Sequence, residues 1–159
     1  MSSRPNLFEL APAGYRALAA IEAYLKTCGL EPSLIELVKM RASQINGCAF
    51  CLDMHVKQAR LRDERELRLH HVAIWRESPL FTPKERAALA WTEALTRIGP
   101  DGVSDEAYDQ ARAQFSDEDL SQLTWRVAAI NGWNRMNIAF RSVPGSKDKT
   151  FGLDKAGLN

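Results

Sequence analysis

The chain has 159 residues, 45% of them hydrophobic and 26% charged, with a formal net charge of +1. That length supports one domain over residues 1–159 with a substantial core. Lys and Arg are spread along the whole chain, and no apolar run approaches the roughly 18 residues of a membrane span, so neither a nucleic-acid partner nor a membrane is expected. The first residues, MSSRPNLFEL, lack a signal-peptide core, which points to the cytoplasm. Three cysteines are too few, and odd in number, for a secreted disulfide framework.

Residues 1–12 read as irregular, with Pro5 and Pro12 opposing regular structure. A first helix is predicted over about residues 13–28, where Ala17, Leu18, Ile21, Tyr24, Leu25 and Cys28 recur at the helical period before Gly29. Cys28 reads as a structural thiol on that apolar face. Glu31-Pro32 opens a second helix striped by Leu34, Leu37, Val38 and Ile45. Arg41 interrupts the stripe, which suggests partial burial against an acid. Asn46-Gly47 ends that helix, and a third runs from near Cys48 to about Leu61.

Asp63 to Glu66 reads as a start signal for a short fourth helix. Thr82-Pro83-Lys84-Glu85 is the strongest cap: Thr at N-cap, Pro at N1, Glu at N3. Behind it Ala88, Leu89, Trp91 and Leu95 continue a helix to Gly99. Ser104-Asp105-Glu106 starts a short helix to about Phe115. Ser116 then opens a long final helix that is apolar nearly all round. Residues 143–159 read as a loosely ordered tail, outside a core over about residues 7–140. The pattern is all-α, a single-domain helical bundle of about six to seven helices with no sheet.

The chemistry concentrates in ELVKMRASQINGCAFCLDMH, residues 36–55. Helical spacing puts Cys48, Cys51 and His55 on one face, at i, i+3 and i+7. A thiol is nucleophilic only as its thiolate, and a helix N-terminus favours that charge. His55 lies one turn beyond Cys51, and Glu36 can orient its imidazole if the two helices pack together. Two thiols one turn apart support attack on a peroxide, condensation to a disulfide and reopening by an external dithiol. They equally support dithiol oxidoreduction.

Zinc bound by Cys48, Cys51 and His55, with Glu36, His70 or His71 as fourth ligand, is the competing reading. Structural zinc usually pairs a CxxC with a second clustered pair, which this chain lacks, so no metal and no cofactor is expected. His70 and His71 point about 100° apart on a helix and read as surface residues. Trp75, Trp91, Trp125 and Trp133 read as core or interface. Asn131, Asn134 and Asn137 form a polar stripe that either lines the site or bonds across a subunit interface.

The same stretch resembles the signature of the alkylhydroperoxidase D and carboxymuconolactone decarboxylase superfamily, in its CxxC-bearing branch. The likeness rests on the acid before CxxC, the run RASQINGC and the histidine after it. WRESPLFTPKERAALAWTEALT and AAINGWNRMNIA extend it from about Leu7 to Phe140. It implies an alkylhydroperoxidase D-like helical fold, homo-oligomers that are commonly trimers or hexamers, and thiol-dependent hydroperoxide reduction with an external dithiol reductant. By position, Cys51 resembles the attacking thiol, Cys48 the resolving one, and Glu36 and His55 the proton relay. In thioredoxin-like CxxC sites the first cysteine is the more acidic one, so the reverse order also stays open. Phe50 stands where the better-understood relatives carry a second histidine, which implies a shorter relay. The decarboxylase branch implies an alternative, acid–base chemistry by His55 and Glu36. A third reading is a non-catalytic structural or metal-binding oligomer.

Overall fold

A computed structural model describes residues 4–158, whose regular elements are all helical, with no strand among them. The helices are α1 (Leu7–Leu10), α2 (Pro12–Leu25), α3 (Pro32–Asn46), α4 (Ala49–Arg60), α5 (Glu66–His71), α6 (Pro83–Thr96), α7 (Asp105–Arg112), α8 (Asp117–Phe140) and α9 (Asp148–Phe151), with 3-10 turns at Val72–Ile74 and Leu153–Ala156. Nine helices among the described residues exceed the six or seven predicted. The surplus comes from two single turns, α1 and α9, too short to carry a periodic pattern.

The long helices begin and end where side chains satisfy free backbone groups. Thr82 and Glu85 close a reciprocal capping box at α6. Ser104 and Ser116 cap α7 and α8. Gly47, at φ 71°, ends α3 in the left-handed conformation that suits glycine. The fourth helix departs from its predicted start. Asp63 takes φ 60° in the preceding turn, and α5 opens after Arg65 without a side-chain cap. The first long helix stops at Leu25, so Cys28 sits in the following turn, half-buried, with its sulfur near the Tyr24 carbonyl.

Helix α3 is the centre of the bundle and packs against α4, α6 and α8. One face carries Leu34 and Val38 into a cluster with Ala88, Trp91, Leu123 and Val127. Another carries Leu37 and Met40 against Val72, Trp75 and Leu89. Each fully buried aliphatic side chain contributes about 1.5–3 kcal/mol by leaving water. Arg41, the break in the stripe, pairs with Glu93 at 2.6 Å, and Glu93 also accepts from Trp75 and Arg76.

The segment after Val143 is docked, not loose. Asp148 bonds the buried Lys57 at 2.7 Å, Gly145 donates to Asp53, and Leu153 is buried. These anchors are one ion pair, one backbone hydrogen bond and one apolar residue, and none forms a periodic pattern in a Gly- and Lys-rich sequence.

Candidate active site

The break at Gly47 sets the site. It turns the chain so that Cys48 becomes the N-cap of α4, and its sulfur accepts the backbone N–H of Cys51 at 3.3 Å. Cys48 and Cys51 are joined as a disulfide, their Cα atoms 5.4 Å apart. Both are buried, at 2% and 0% exposure, in a cluster with Ala42 and Ile130 against which Phe50 and Trp133 pack.

One turn beyond Cys51, His55 is also buried and meets Glu36 from α3, Nδ1 to Oε2 at 3.0 Å. The side-by-side packing of α3 and α4, which that pairing required, is present. Burial pushes the Glu36 carboxyl up. The His55 hydrogen bond and charge, with Lys39 and Arg62, outweigh it and hold the group below its usual range. A carboxylate only accepts, so His55 Nδ1 carries a proton and donates it, as in the Nδ1–H tautomer. Gln58 Oε1 lies 2.8 Å from the same Nδ1 and reinforces that tautomer.

Two partners escaped the sequence reading. Arg62 reaches Glu36 Oε1 at 3.1 Å from the turn after α4, so the carboxylate is held from both sides. Gln58 sits one turn after His55. The spacing of Gln58 is a signal that could have found it. Arg62 lies in a turn, where spacing predicts nothing.

The asparagine stripe divides. Asn46 donates to both Asn131 and Asn134 at 2.8 Å, and Asn134 donates to Ser43. Two members thus join the end of α3 to α8 within one chain and fix the break that presents the cysteines. The third, Asn137, is 5% exposed and donates to the Trp133 carbonyl, while its Oδ1 has no partner among the described residues.

The histidine pair is elsewhere. His70 is exposed beside Glu66, and His71 contacts Ser78. Among the described residues no three His, Cys, Asp or Glu side chains gather as metal ligands. No helix among them is long and apolar enough to cross a membrane. Trp75 and Trp91 are buried, Trp133 is half-buried and Trp125 is exposed.

The model of the carboxymuconolactone decarboxylase family matches residues 12–94. The uncharacterised protein YdfG of Bacillus subtilis is 38% identical over 147 residues, spanning 92% of this chain and 100% of YdfG. Among solved structures, ATU0492 from Agrobacterium tumefaciens, a protein of unknown function and candidate AhpD antioxidant-defence protein, has a TM-score of 0.86 and 44% identity, covering 90% of this chain and 98% of that one. An AhpD core from Ralstonia eutropha JMP134, an uncharacterised peroxidase-related protein, has a TM-score of 0.77 at 23% identity, covering 88% and 75%. At that identity the likeness speaks for the fold.

Proposed function

Because the chain belongs to the carboxymuconolactone decarboxylase family, within the alkylhydroperoxidase D-like superfamily, we propose that it is a thiol-dependent hydroperoxide reductase cycling Cys48 and Cys51 between dithiol and disulfide. The observation that carries this reading is the cysteine pair at the start of α4, with the hydrogen-bonded His55 and Glu36 one turn below it.

In the reduced enzyme, Nε2 of His55 takes the Cys51 proton. The thiolate attacks the terminal peroxide oxygen, the O–O bond breaks, and the alkoxide leaves with the proton returned by His55. Cys51 is then a sulfenic acid. Cys48, whose sulfur receives the Cys51 N–H at the helix N-terminus, is suited to be a thiolate. It attacks the sulfenic sulfur, the S–S bond forms, and hydroxide leaves as water. An external dithiol then reopens the disulfide by exchange and is itself oxidised. Glu36, ionised and pinned by Arg62, fixes the imidazole and stabilises its cation.

The test is hydroperoxide consumption with dithiothreitol as reductant. Wild-type protein should turn over. Cys51→Ser should abolish activity, and reduced Cys48→Ser, assayed after the dithiothreitol is removed, should consume one equivalent and stop. Wild-type rates in both variants would sink the reading. The His55–Glu36 pair holds together without the sulfurs, which favours a second reading, acid–base chemistry of the decarboxylase kind. That reading expects activity that survives loss of both thiols.

The fold also leaves an apolar hollow between α2 and α8, lined by Ala20, Ile21, Tyr24 and Trp125, with Tyr24 52% and Trp125 51% exposed. With the oligomers implied by the family, its occupant is a second copy of this chain.

A further inference from the structure

The disulfide is buried, so a substrate needs a way in, and a cavity of about 480 Å³ lies behind Phe50. Phe50 lines that cavity and also packs on the cluster holding Cys48 and Cys51. It is the wall shared by the cavity and the redox pair. Phe8 and Phe140 make the lining apolar around it. The size lies within the range of small-molecule sites.

The polar lining has one sign. Arg4, Arg141 and Lys147 border the cavity, and among the described residues no Asp or Glu does. Among the described residues no carboxylate pairs with Arg141 or Lys147. Asn137 adds a buried acceptor in the wall, its Oδ1 unpartnered. Such an atom is costly to leave bare and calls for a donor from whatever fills the space. Arg141 has φ 55° at the end of α8, a position where glycine is the low-energy choice. An arginine held there is an outlier that points to use.

We propose that this cavity is the substrate site and that it takes an amphiphilic organic carboxylate bearing the hydroperoxide. The carboxylate sits by Arg141 and Lys147, the apolar body lies on Phe50 and Phe140, and the peroxide end is directed past Phe50 to the sulfurs. A hydroxyl or hydroperoxyl hydrogen of the ligand satisfies Asn137 Oδ1. This substrate class rests on the peroxidase reading above, whereas the binding of the anion does not.

The test has two arms. Calorimetry compares octanoate with 1-octanol on the oxidised wild-type protein, on Arg141→Gly with Lys147→Gln, and on Lys149→Gln, an exposed lysine outside the cavity. Octanoate should bind at least tenfold more tightly than octanol. The double variant should lose about tenfold, since exposed charges each contribute up to about 1 kcal/mol. Lys149→Gln should bind as wild type. Because glycine suits the conformation at residue 141, thermal melting should show the double variant folded, so weaker binding reads as a lost site. Equal binding of octanoate and octanol, absence of binding, or an unaffected double variant overturns the proposal.

The second arm compares kcat/KM for a fatty-acid hydroperoxide and its methyl ester. The acid should be preferred, and the preference should shrink in the double variant. Charge-dependent octanoate binding with no turnover of either peroxide supports the site and removes the peroxidase reading. Equal turnover of both peroxides without octanoate binding removes the site and leaves the peroxidase reading standing.

Discussion

Glu36 of α3 and His55 of α4 meet at 3.0 Å, both almost free of solvent, with the cysteine pair one turn further up α4. Two buried ionisable groups on neighbouring helices are costly unless each satisfies the other. Here the carboxylate also takes Arg62, and the imidazole also contacts Gln58. The two side chains are therefore each held by a second partner as well as by one another.

The acid limb of stability should report this ionisation. The Glu36 and Glu93 carboxyls both lie below the usual carboxylate range in the folded protein. For Glu93, burial pushes upward and is overcome by Trp75, Arg76 and Arg41. A depressed folded pKa gives stability that is complete above the unfolded value and is lost as pH falls through the folded one. Denaturation midpoints should therefore be flat near neutrality and fall below about pH 4.5. Glu93→Gln should lose about 1–2 kcal/mol at pH 7, because it removes the charge that the buried Arg41 pairs with, and should show a shallower acid limb. A variant with the wild-type slope would contradict these assignments.

Much of this was legible in the sequence because local chemistry decided it. The caps at Thr82 and Ser116, the break at Gly47 and the spacing of Cys48, Cys51 and His55 are all short-range signals. The Arg41 acid partner was expected as a type, but Glu93 lies 52 residues away and spacing cannot name it. Arg62 on Glu36 and Asp148 on Lys57 were missed for the same reason, since both involve residues outside any periodic helix face. The short helices α1 and α9 are single turns of four residues each, too short for a periodic stripe to mark.

The asparagine network should set the geometry of the cysteine turn. Asn134 is 0% exposed and links Asn46 with Ser43. Asn134→Ala removes a fully buried amide and its bonds to Asn46 and Ser43, which keep Asn131 and the Lys39 carbonyl as their remaining partners, and should cost about 1–3 kcal/mol in urea unfolding. It should also slow peroxide turnover more than a distant variant of equal stability cost. Equal slowing by both would reduce the network to a structural role.

The proposed association through the α2–α8 hollow is checked by sedimentation. Trp125→Glu places a charge in the apolar face and should shift the protein to smaller species, with its helical circular dichroism retained. An unchanged oligomer distribution would move the interface elsewhere.

The central claim is that Cys48 and Cys51 close on peroxide. Intact mass of the fully reduced protein, taken before and after one equivalent of hydroperoxide, tests it most directly. The account predicts a loss of two hydrogens in the wild type, and in Cys48→Ser a gain of one oxygen that dimedone traps. Peroxide consumed with no change in protein mass, or mass changes that persist in Cys51→Ser, would contradict it.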